Sequence, residues 1–140
     1  MKPTLCLFSS ALGLLTLSAC DDNAPIEDYG AICVESATSG SQYTLEVTAN
    51  SMDCGSDHEG VAYSCEATLS GSAITVTTTY VPGSDPNSLC APPVFATCSL
   101  TADAGSYTLS FAGEDVTLEV PAEGATCVPE GTEITDSGWL

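Results

Sequence analysis

Six of the eight cysteines, those that follow the first twenty residues, together with one histidine and a scatter of acids, are the side chains whose types and spacing could do chemistry in this sequence. Cys33, Cys54, Cys65, Cys90, Cys98 and Cys127 form an even set, which in a small exported domain reads as three disulfides. Zinc is the rival use of such thiols. No C-x-x-C occurs, however, and His58 is the only imidazole, so the clustered ligands of a tetrahedral site are missing. Closing the shortest loops first pairs Cys54 with Cys65 and Cys90 with Cys98, and leaves Cys33 with Cys127 to join the ends of the domain. On the chain-entropy model a loop of roughly 15 residues contributes about 3 kcal/mol and a near full-length loop somewhat more.

The acids suggest a second chemistry. In the segment from Asn50 to Gly60, Asp53, Asp57 and Glu59 fall near Gly55 and Gly60. Calcium is held by several carboxylate and carbonyl oxygens at about 2.4 Å, so this loop is a candidate calcium site. The match to a calcium loop is partial, because Gly55 stands at the third position and His58 where an EF-hand has its turn glycine. The competing reading is a polar hairpin loop bounded by a disulfide. Glu123, Glu130, Glu133 and Asp136 read as a solvated C-terminal tail.

Catalysis finds few parts. His58 lies among acids with no G-x-S-x-G elbow in the chain, so a serine triad lacks its scaffold. No glycine-rich phosphate loop is present, and Lys2 is the only base in 140 residues, leaving nothing to clamp a phosphate or carboxylate substrate. A glycosidase needs a carboxylate pair inside an aromatic cleft, and the chain holds only 3 Phe, 5 Tyr and 1 Trp. The sequence therefore reads as non-enzymatic and without a required cofactor. Its formal charge of -18 also excludes nucleic-acid binding, which depends on Lys and Arg at the phosphates.

Met1 to Ala19 carries Lys2, an apolar run from Leu5 to Leu17 and then small residues, the pattern of a secretory signal. The run is too short for a membrane-spanning helix, which takes about 20 residues. Its end, Leu17-Ser18-Ala19-Cys20, resembles the lipobox of bacterial lipoprotein precursors at all four positions. The resemblance implies cleavage before Cys20, diacylglyceryl and acyl (palmitate-type) modification of that residue, and a firm hold on the bilayer, each buried methylene contributing about 0.8 kcal/mol. It places the mature protein in the cell envelope, facing the periplasm or the cell exterior. Asp21 and Asp22 follow the anchor; the choice between inner and outer membrane stays open.

These residues must be held by strands. Tyr43, Leu45 and Val47 alternate with polar residues, as do Ile74, Val76, Thr78 and Tyr80. The same period of two covers Val61 to Leu69, Val94 to Leu100, Tyr107 to Phe111 and Val116 to Val120, with a seventh strand around Ile32 to Val34. Gly, Pro, Ser and Asp clusters separate them, and no helical period follows Cys20. Acids spread along such a chain are the usual solvated surface, kept soluble by self-repulsion.

Asp103-Ala104-Gly105-Ser106-Tyr107 resembles the D-x-G-x-Y signature of immunoglobulin-like domains, whose tyrosine hydroxyl bonds back to nearby backbone as the tyrosine corner. The resemblance implies an all-β fold: an immunoglobulin-like antiparallel β-sandwich of about seven strands, stabilised by disulfides. Leu109 stands where antibody-type domains place a core cysteine, and the only Trp is Trp139. A second near match, Glu59-Gly60-Val61-Ala62-Tyr63, comes too early in the strand order. The organisation that follows is residues 1–19 signal peptide, 20–30 lipidated cysteine and acidic tether, 31–128 sandwich and 129–140 acidic tail. The function expected is a lipid-anchored binding or structural module with a protein or glycan partner. The alternatives are a calcium-dependent adhesion or carbohydrate-binding module using Asp53, Asp57 and Glu59, and a small inhibitor or secreted enzyme using the segment from Pro82 to Pro93. A rise in melting temperature with calcium that Asp57→Ala abolishes would single out the first alternative.

Overall fold

The alternating residues resolve into strands whose apolar sides meet between two sheets. The computed structural model describes residues 24–51, 61–83 and 94–132, and the backbone of two short strands ahead of them. Those two are β1 (Leu5–Cys6) and β2 (Ser18–Ala19), paired antiparallel. The domain itself runs through β3 (Ile26–Glu27), β4 (Ala31–Ser39), β5 (Gln42–Asn50), β6 (Ala62–Ser70), β7 (Ala73–Val81), β8 (Phe95–Ala102), β9 (Gly105–Phe111), β10 (Glu114–Val120) and β11 (Thr126–Val128). The seven long strands, β4 to β10, are those the alternation predicts. The chain is an all-β sandwich fastened by disulfides. Among the described residues no helix is long and apolar enough to cross a membrane.

One sheet has the order β11-β4-β5-β8, antiparallel throughout. In the other, β7 pairs along one side with β6. Its other side is shared by two strands. β9 runs parallel to it, with Ala73 to Thr75 opposite Thr108 to Ser110, and β3 continues the same edge antiparallel, with Ile26 opposite Tyr80 and Glu27 opposite Thr79. β10 then pairs with β9. The parallel contact is an addition to the antiparallel plan. It arises because the second strand of the β6–β7 hairpin, not the first, packs beside β9, which leaves β6 at the sheet edge.

Docking of β3 corrects the tether boundary. Ile26 and Glu27 are part of the second sheet, and Asp28 donates its backbone N–H to the Thr78 carbonyl at 2.7 Å, so the folded unit begins at Ile26 and not at residue 31. The physical reason is an open edge: β7 extends past the end of β9, and its unpaired backbone groups require partners.

Ile32, Val34, Leu45, Val47, Ile74, Val76, Leu109, Phe111, Leu118, Val120 and Val128 are buried between the sheets, each burial contributing roughly 1.5 to 3 kcal/mol. The β9–β10 hairpin closes through Ala112-Gly113, both at positive φ (51° and 80°), the backbone of a type I′ turn matched to strand twist.

The outward faces have no cationic side chain to set against their acids, and hydroxyls serve as donors. Ser106 donates to Glu119 at 2.7 Å, Ser110 to Asp115 at 2.6 Å and Thr79 to Glu27 at 3.1 Å. One pair lacks even this: Glu35 and Glu46 lie directly opposite across β4 and β5, both exposed. Like charges so placed are destabilising. Glu46→Lys is expected to raise the unfolding free energy by about 0.5 to 1 kcal/mol at low salt, with a smaller gain as added salt screens both forms. Urea titrations at two ionic strengths read both effects.

Candidate functional site

The described residues place part of the predicted chemistry and rearrange another part. Cys20, Cys54, Cys90, the calcium candidates Asp53, Asp57 and Glu59, and the neighbouring His58 lie outside the described residues. So does most of the segment from Pro82 to Pro93. Cys33 is bonded to Cys127, the two standing directly opposite on β4 and β11. Cys65 is bonded to Cys98. That bond overturns the pairings Cys54–Cys65 and Cys90–Cys98. Short-loop closure misleads here because β6 and β8 are edge strands of different sheets that run alongside each other, bringing together cysteines 33 residues apart. The bridge bolts one open side of the sandwich. Both its cysteines are partly buried against the core.

The D-x-G-x-Y segment forms a closed structure at the β8–β9 corner. The Tyr107 hydroxyl donates to the Asp103 carbonyl at 2.9 Å, and Gln42 donates to the Asp103 carboxylate at 3.3 Å. Gly105 opens β9 two residues before this tyrosine, with the Tyr107 ring 3.7 Å from where a Cβ would lie. This corner is a structural fastening at one end of the sandwich, shared with the tight turns at Gly40 and Gly71.

The opposite end is where the long connections leave. Ser51 donates its N–H to the Val94 carbonyl at 3.1 Å, and Val94 donates back to the Ser51 hydroxyl at 3.2 Å, tying the exit of β5 to the entrance of β8. Ala62 faces Val81 in the ladder, so the other two stems are also side by side. Connections 52–60 and 84–93 thus start and finish within one small area. β11 ends here as well, with Val128 opposite Ile32.

A tyrosine cluster underlies this end. The Tyr29 ring stacks on Tyr80 with centroids 4.7 Å apart, and Tyr63 meets Tyr80 edge-on at 6.1 Å, contacts worth about 0.5 to 1.5 kcal/mol each beyond burial. The Tyr63 hydroxyl (2.6 Å) and the buried Thr78 hydroxyl (2.9 Å) both donate to the Tyr29 carbonyl. This accounts for a threonine on the apolar side of β7. Tyr63 belongs to the early near match of the tyrosine-corner signature, and its hydroxyl does bond back to backbone, although 34 residues upstream. The wider cluster was not foreseeable from spacing, since its members come from three separate strands and segments.

Burial pushes the Tyr63 phenol above its ordinary value, and the neighbouring Thr78 hydroxyl, which can turn to donate to the ionised phenolate, opposes part of that rise. The group is a fixed donor at neutral pH and not a nucleophile. The folded state holds this proton more tightly than the unfolded chain. Its contribution to stability is therefore fully present below about pH 10 and is lost as pH rises through the raised folded value. Tyr63→Phe is expected to lower stability by about 1 kcal/mol at neutral pH, from the lost hydrogen bond, and to flatten the alkaline decline. Urea midpoints at neutral and strongly alkaline pH would show both changes.

Elsewhere a shallow depression of about 200 Å³ is lined by Thr44, Glu46, Thr97, Cys98 and Ser99, hydroxyls and one carboxylate with no base beside them. Among the described residues no group of three His, Cys, Asp or Glu side chains could hold a metal ion. Comparison with protein families, with curated proteins and with solved structures finds no match to this chain.

Proposed function

We propose that this chain is a lipoprotein of the bacterial cell envelope: a non-enzymatic, lipid-anchored β-sandwich that serves as a binding or structural module. The observation that carries the reading is Leu17-Ser18-Ala19-Cys20 at the end of the apolar leader, with a folded domain starting only six residues beyond Cys20. Two disulfides suit an oxidising compartment outside the cytosol. Outward faces of hydroxyls and carboxylates, internally hydrogen-bonded, support recognition or spacing more than bond-making. Intact-mass analysis of protein extracted from membranes tests the reading: the mature chain is expected to begin at a lipid-bearing Cys20. Cys20→Ser should leave it unprocessed. A soluble chain beginning elsewhere would end the proposal.

A further inference from the structure

We propose that the Cys65–Cys98 bridge is a reducible latch: a dithiol donor opens it in the folded protein, and the seam it closes between β6 and β8 then parts, while Cys33–Cys127 stays oxidised. The inference is independent of lipid on Cys20. Cys65 and Cys98 are each partly exposed and lie on edge strands of different sheets, and exposed disulfides are the labile ones in thiol exchange. Among the described residues β6 pairs with β7 alone and β8 with β5 alone, so no backbone ladder joins the two sides. What closes the seam beside the sulfurs is an inner row of side chains, Tyr63 and Ala67 from β6 and Ala96 and Leu100 from β8, partly buried against the core. The row is already incomplete. Leu69, the next inward residue of β6, is 39% exposed.

The other bridge differs in access and in what holds its sulfurs together. Cys33 is 1% exposed, so attack at Cys127 would expel a thiolate into a place where burial disfavours charge. Cys33 and Cys127 also stand opposite each other in a ladder that continues on either side, Val34 with Thr126 and Ile32 with Val128. Thiols held face to face keep a high effective concentration and close again. Those of Cys65 and Cys98 are free to separate, since β6 and β8 keep their own pairings when the bond is gone. A donor thiolate attacks one sulfur, forming a mixed disulfide and releasing the other cysteine as a thiol; the donor's second thiol then displaces the first. The bridge gains two electrons and two protons, and the donor leaves as its own disulfide. Glu66 follows Cys65, Glu46 lines the same depression as Cys98, and no Lys or Arg lies beyond Lys2. The donor that fits is therefore neutral or basic around its thiols.

Peptide-resolved alkylation reads the latch. The purified full chain is treated with dithiothreitol, a neutral dithiol, without denaturant, then alkylated and digested. Cys65 and Cys98 are expected to label roughly tenfold faster than Cys33 and Cys127. Amide hydrogen exchange in the reduced protein is expected to rise in β6 and β8 while β4 and β5 stay protected. At matched thiolate concentration, cationic cysteamine should open the bridge faster than anionic 2-mercaptoethanesulfonate. Labelling of Cys33 and Cys127 at an equal or greater rate, labelling of none of the four before unfolding, or a reduced protein whose β6 and β8 exchange as slowly as before overturns the latch. An equal or reversed order of the two charged thiols overturns the charge preference of its donor.

Discussion

Gly30→Ala is expected to destabilise the domain by about 3 to 5 kcal/mol, near the upper end for a single substitution. Gly30 sits at φ +94°, where an L side chain is strained. Space makes matters worse. A Cβ there would overlap the Asn50 carbonyl oxygen and lie 2.9 Å from the Tyr63 hydroxyl. Asn50 is buried at the end of β5 and Tyr63 is tied to Tyr29, so neither can retreat without opening the crossing from β3 into β4. Gly40 is the matched control: its φ is +66°, yet nothing lies within 4 Å of its Cβ position. Gly40→Ala should therefore cost only about 1 kcal/mol, the conformational part alone. Urea unfolding of the two variants separates strain from collision, and equal losses would refute the close approach at Gly30.

Removing the bridge between the edge strands is expected to have an effect of similar size. The chain-entropy model gives about 4 kcal/mol for a closed loop spanning the 33 positions between Cys65 and Cys98. The double variant Cys65→Ala with Cys98→Ala should lose roughly that amount, and calorimetry or urea unfolding would measure it. The bond also makes a prediction about connectivity. With Cys33 joined to Cys127 and Cys65 to Cys98, a third bridge between residues 31 and 128 leaves only Cys54 and Cys90 for each other. Digestion without reduction, using a protease that cuts after acids, should release those three linked pairs. A peptide linking Cys54 to Cys65 would overturn the arrangement.

The seven long strands were legible because each buries one side, so that residues such as Ile74, Val76 and Tyr80 recur with period two. β3 was not legible: it has two residues, one apolar, in an acidic segment containing Pro25, and only the open edge of β7 gives it a partner. β11 is hidden for the same reason, three residues between turns. The Asp103–Tyr107 corner was readable since all its parts lie within five residues. The tyrosine cluster and the Cys65–Cys98 bond depend on which strands become neighbours, and local sequence does not encode that the second strand of the β6–β7 hairpin packs beside β9. Asp53, Asp57 and Glu59 remain a sequence-level proposal for calcium.

The position of β11 has a consequence for how the protein is made. β4 lies between β5 and β11, and Cys33 is joined to Cys127 across 94 positions of sequence. Likewise β3 and β4 precede in the chain every strand they pair with. An early strand therefore waits for partners delivered much later, and the edge of β4 is not covered until Val128 has emerged. Pairings this distant in sequence form slowly, since the intervening chain must be ordered before they are rewarded. The newly made polypeptide consequently carries an open strand edge through most of its synthesis, and its compact form waits on one of its last strands.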